Sequence, residues 1–171
     1  MKTVKIIVII LVVLTFVFFG TGLVIKESNY SVEVNINKPL EETFQIFNNQ
    51  KLMTQWVPQI TNVETIKENP GVIGSEYRIT MDNNGQVVTM KEKVLAFVEN
   101  QKVTQYFDQE GVLKTNDYTF ASEGNQTKIV LNATYQGESY ILNCIFPYFK
   151  GTFKGLDQTN LDNFKQFAEK Q

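Results

Sequence analysis

The chain has 171 residues, with 16 basic and 18 acidic side chains and a net charge of −2. That mildly acidic balance, with Arg78 as the only arginine, argues against nucleic acid as a partner, since nucleic-acid binding calls for a basic patch. The absence of histidine removes Ser-His and Cys-His nucleophile pairs and argues against zinc or non-haem iron, while the lone Cys144 permits no intramolecular disulfide.

In chain order the first feature is an uncharged apolar run. Residues 6–19 are nearly all Ile, Val, Leu and Phe, and residues 20–25 extend the run to about the 20 residues that cross a bilayer. Residues 1–25 are therefore expected to be a transmembrane anchor, with a cleaved signal sequence as the alternative. Against cleavage, no small-residue site or lipoprotein-type cysteine follows the run, and it exceeds a usual signal core in length. Lys2 and Lys5 precede the span and Lys26 alone follows closely, which places the amino terminus in the cytoplasm and the rest outside. Residues 26–171 form one block of single-domain size, without a linker or an internal repeat.

Residues 30–36 alternate Val32, Val34 and Ile36 against Ser31, Glu33 and Asn35, the period of a strand buried on one face. Pro39 suits the first position of a helix, and Glu41 and Glu42 favour its positive end. Leu40, Phe44 and Phe47 give that helix an apolar face, and a second short helix ends at Trp56. Further strands are expected at 60–66, 75–81, 86–97, 102–107, 115–121 and 128–135, with a hairpin signal at Asp82-Asn83-Asn84-Gly85. Residues 140–169 repeat apolar side chains at helical spacing, and Pro147 predicts a kink or a broken start.

Strand, Pro39-led helix, short helix ending at Trp56, six strands and a long terminal helix is an order that resembles the START-like, or SRPBCC, superfamily, which includes polyketide cyclases and lipid-transfer proteins. The resemblance covers nearly all of residues 30–170. It implies an α+β helix-grip fold, a curved antiparallel sheet of about seven strands around the terminal helix, with a cavity between them.

Side chains on the inward phases are Tyr77, Ile79, Met81, Val88, Met90, Tyr118, Phe120, Leu131, Ala133 and Tyr135, with Ile145, Phe149 and Phe153 from the helix. Each is equally a core residue. Small Ala133 is expected to border free space. Glu92 shares the inward phase, where a buried carboxyl would gain acid–base capacity, yet no second positioned group makes it catalytic. The expected function is membrane-tethered binding, transport or sensing of a hydrophobic small molecule or lipid, with no metal or cofactor. Alternatives are a polyketide-cyclase-like enzyme and an accessory interaction domain with a filled core.

Overall fold

A computed structural model of the chain describes residues 2–83 and 85–171. Helix α1 (Lys2–Val24) leads into β1 (Ser28–Ile36), followed by α2 (Leu40–Asn48), a 3-10 turn (Gln50–Leu52) and α3 (Met53–Trp56). Strands β2 (Ile60–Lys67), β3 (Glu76–Asn83), β4 (Gln86–Val98), β5 (Lys102–Gln109), β6 (Val112–Glu123) and β7 (Gln126–Gly137) come next, and α4 (Tyr140–Ala168) closes the chain. All seven strands form one antiparallel sheet in the order β1-β7-β6-β5-β4-β3-β2. This is the helix-grip α+β fold that the sequence implies.

Every second residue of β1 from Ser28 to Ile36 is buried. The alternation therefore faces the core, and β1 pairs with the last strand, Ser28 opposite Tyr135 and Ile36 opposite Thr127. Pro39 stands one residue ahead of its expected place, as the cap of α2, where its carbonyl accepts the Thr43 N–H at 3.0 Å. Phe44 and Phe47 then enter the core, where Phe47 meets Trp56, Tyr118, Phe120 and Phe164 with ring centroids 4.7–5.7 Å apart. Trp56 in turn lies 5.1 Å from Phe164, so three helices and the sheet meet at this aromatic cluster.

Strand boundaries differ from the sequence expectation by up to three residues. Strand β6 begins at Val112 and β7 at Gln126, because ladder hydrogen bonds continue past the residues whose alternation is apolar. Helix α4 continues through Pro147 without a break, held along its length by packing on β1 and β7. The β3–β4 turn has Gly85 at φ 89°, a left-handed conformation that favours glycine, and its N–H donates to Asp82 Oδ1 at 2.6 Å. Asn84 of that signal lies outside the described residues.

The last turns of α1 lie against the first turns of α4. Phe18 stacks on Tyr148 and Phe19 on Tyr140, with centroids 6.1 and 6.2 Å apart. The remainder of α1 is exposed, and the helix is long and apolar enough to cross a membrane.

Candidate ligand-binding cavity

Helix α4 covers the β1–β7 side of the curved sheet, whereas α3 stands over β2. Between α3 and the inner faces of β3 to β7 the sheet leaves a cavity of about 180 Å³. Its floor is made of buried side chains: Phe47, Trp56, Ile79, Gln105, Asn116 and Tyr118. Towards the β5–β6 turn the lining becomes half-buried, through Met81, Met90, Phe107, Gln109 and Val112. The cavity thus opens at the end of the sheet where Val112 pairs with Gly137 and Ser28 with Tyr135.

The floor carries unmet hydrogen-bonding capacity. Trp56 Nε1 and Asn116 Oδ1 are buried and have no partner among the described residues. Asn116 Nδ2 donates to the Tyr118 hydroxyl at 3.1 Å. Burial, reinforced by the charge of Asp157, raises the Tyr118 phenol well above its ordinary range, so the hydroxyl keeps its proton. One indole donor, one amide acceptor and one phenol therefore meet in a mostly apolar chamber, where an unpaired polar group is costly.

Beside this chamber, Lys114 reaches inward from β6 to Asp157 of α4 at 2.6 Å, with both side chains largely buried. Asp157 also accepts from the Tyr30 hydroxyl at 2.7 Å, and Lys114 Nζ lies 5.1 Å from the centre of the Tyr135 ring. Burial, then the neighbouring Tyr135 and the Asp157 carboxylate, push the Tyr30 phenol upward, so it remains a donor. This triad ties α4 to the sheet at the cavity's edge.

Of the residues expected to line a cavity, Ile79, Met81, Met90, Tyr118 and Tyr135 do so. Phe120, Leu131 and Ala133 are packed in the core instead, with Ala133 held between Tyr30 and Asn116 of the flanking strands rather than beside free space. Tyr77 is half-buried opposite Glu92, outside the lining. Val88 and Ile145 are half-buried outside it too. Phe153 stacks on the back of Tyr135 at 4.3 Å, and Phe149 is exposed on the outer side of α4. Glu92 points inward and is completely buried, but Gln105 separates it from the chamber: Gln105 Nε2 donates to Glu92 Oε1 at 2.7 Å, and Gln50 Nε2 donates to the same oxygen at 3.2 Å. Burial pushes the Glu92 carboxyl up to about 7, with the two amides pulling the other way.

A model of the family described as "Activator of Hsp90 ATPase homolog 1-like protein" matches residues 37–144, a span that includes every residue lining the cavity. The chain belongs to that family. The solved structures it resembles share its helix-grip fold. Zhui aromatase/cyclase from Streptomcyes sp. R1128 aligns with a TM-score of 0.70 at 11% identity, over 84% of this chain and 94% of that one. Ara h 8.0201 aligns at 0.67 and 14% identity, over 85% and 99%. A START superfamily protein from Mycobacterium smegmatis aligns at 0.64 and 16% identity, over 82% and 94%. At these identities the likeness concerns the fold. No curated protein matches the sequence.

Sequence reasoning missed the polar half of this family member's cavity and its helical wall. Gln105 shares the phase of Val103 and Phe107, and Lys114 and Asn116 share that of Tyr118 and Phe120. Period-two continuation was the available signal, hidden because polar residues interrupt the apolar pattern. Trp56 was legible as the end of a short helix and Met53 carried no signal of its own; their role as cavity wall depends on where α3 crosses the sheet.

Proposed function

We propose that this protein is a membrane-tethered binding module, residues 1–25 forming the anchor and residues 26–171 the domain that holds a small, mostly apolar ligand. The observation carrying this reading is the chamber with an unpartnered donor, Trp56 Nε1, and an unpartnered acceptor, Asn116 Oδ1, on an otherwise apolar floor. Its size selects the ligand. A cavity of about 150 Å³ takes benzene, and drug-sized ligands occupy roughly 300 Å³ or more. A volume of about 180 Å³ therefore suits one or two rings rather than a sterol or a two-chain lipid. A ring ketone or hydroxy-ketone would accept from the indole or donate to the amide while burying its hydrocarbon. Similarity to a protein called an aromatase/cyclase is compatible with a ring-bearing ligand. Binding is favoured over cyclase-like catalysis because, of the buried carboxyls among the described residues, Glu92 lies behind Gln105 and Asp157 is ion-paired to Lys114, and neither lines the chamber.

Acetonaphthone, two rings and a carbonyl, is a suitable probe for calorimetric titration of the full-length protein. Saturable binding is expected for the parent and should vanish in Met90→Trp, which fills the half-buried side of the chamber. Trp56→Phe should weaken binding by about fivefold, the equivalent of about 1 kcal/mol for one hydrogen bond. A parent that takes up no acetonaphthone would reject the binding reading and put the accessory interaction domain ahead of it.

A further inference from the structure

Three features outside the chamber share one end of the molecule. First, α1 docks on α4 through Phe18, Phe19 and Gly22; the Tyr140 hydroxyl donates to the Phe19 carbonyl, and Thr21 Oγ1 donates to the Cys144 carbonyl at 3.4 Å. Second, α4 carries a stripe of apolar side chains beside that contact. Ile141, Ile145, Tyr148, Phe149 and Leu156 fall at i, i+4, i+7, i+8 and i+15, one flank of a helix, and all but the half-buried Ile145 are 50–57% exposed. Lys150 and Lys154 fall on the opposite flank of the same helix. Third, the cavity opens at the end of the sheet from which α4 and β1 leave for α1.

The docking sets a depth. Phe18 to Gly22 precede Ile25, the end of the apolar run, by three to seven residues. At 1.5 Å per residue, with α1 near the bilayer normal, the α4 contact lies about 5–10 Å inside the end of the span. That is the depth, about 5–10 Å, at which amphipathic helices bury an apolar face in the headgroup–acyl boundary. An exposed apolar stripe, at that depth, beside a membrane-spanning helix, has phospholipid as its occupant.

We propose that the Ile141–Leu156 stripe of α4 is seated in the bilayer interface beside α1, and that the cavity mouth consequently faces the phospholipid surface. The ligand then passes between chamber and bilayer. This rests on α1 being a membrane anchor.

The test uses the full-length chain in vesicles of phosphatidylcholine and phosphatidylglycerol carrying acyl chains brominated near the carbonyl. Three variants each add one tryptophan to buried Trp56: Phe149→Trp on the stripe, Val112→Trp at the cavity mouth, and Glu123→Trp at the opposite end of the sheet. Bromine quenching is expected to be at least about twofold stronger for Phe149→Trp than for Glu123→Trp, with Val112→Trp between them. Equal quenching of all three in protein that floats with the vesicles would overturn the seating while leaving the anchor intact. Protein that fails to float would overturn the anchor, and this inference with it.

Discussion

Glu92 sits on β4 with no exposed surface, and its Oε2 has no hydrogen-bond partner among the described residues. Desolvation of the charged form outweighs the two amide donors and lifts the carboxyl from 4.5 to about 7. Below the ordinary value the group is protonated folded or unfolded. Between about 4.5 and 7 the unfolded chain releases the proton while the fold retains it, so stability falls as pH rises through this window. The loss amounts to at most about 3 kcal/mol, complete above the folded value. Glu92→Gln keeps an oxygen for Gln105 and Gln50 and removes the titration. Chemical denaturation across the window should show the parent losing stability relative to the variant as pH rises. A variant and parent with parallel pH profiles would mean that Glu92 is charged in the fold at neutral pH.

At the scale of elements, α4 is shaped by conflict between local preference and packing. Pro147 removes the N–H that would bond to the Asn143 carbonyl and crowds the preceding turn, yet the helix runs on from Tyr140 to Ala168. Its inner face carries Phe146, Asp157, Leu161, Phe164 and Ala168 into the core, so tertiary contacts hold the turn that local propensity disfavours. Pro147→Ala should restore the bond and raise stability by about 1–3 kcal/mol, read as a higher denaturant midpoint. A lower midpoint would show that the proline ring is itself a packing element. The β-strands show the complementary case: β6 takes Lys114 and Asn116 inward because the register continues from Tyr118 and Phe120, whatever their polarity.

Across the whole molecule, the close approach of α1 to α4 is the joint between the apolar N-terminal helix and the rest of the fold. A Cβ on Gly22 would lie 2.4 Å from Cys144 Sγ and 3.0 Å from a Tyr140 ring carbon, distances that the docked helices cannot accommodate. Gly22→Leu should therefore release α1 locally while leaving the sheet's cooperative melt in place. Cys144, buried at this joint and the only cysteine, reports the change. Maleimide labelling in detergent should accelerate by about tenfold or more on local opening. An unchanged rate would mean that α1 does not cover Cys144 in solution.

The sequence alone determined what period and punctuation encode. The strand from Tyr30 to Ile36, the Pro39-led helix, the strand succession and the terminal helix could be read because each follows a 2.0 or 3.6 repeat between turn residues. Five of the lining residues, Ile79, Met81, Met90, Tyr118 and Tyr135, were legible as inward-facing for the same reason. Which inward residues meet space and which meet each other was decided only by tertiary structure. Ala133 and Leu131 lie under the β1–β7 side that α4 covers, whereas Gln105 and Asn116 lie where α3 leaves a gap. Phe149 obeys helical spacing but faces away from the chamber, because periodicity places a side chain on a face without saying what that face meets. Burial of a polar side chain depends on partners distant in sequence, as Asp157 and Gln105 are for Lys114 and Glu92, and no local pattern records them.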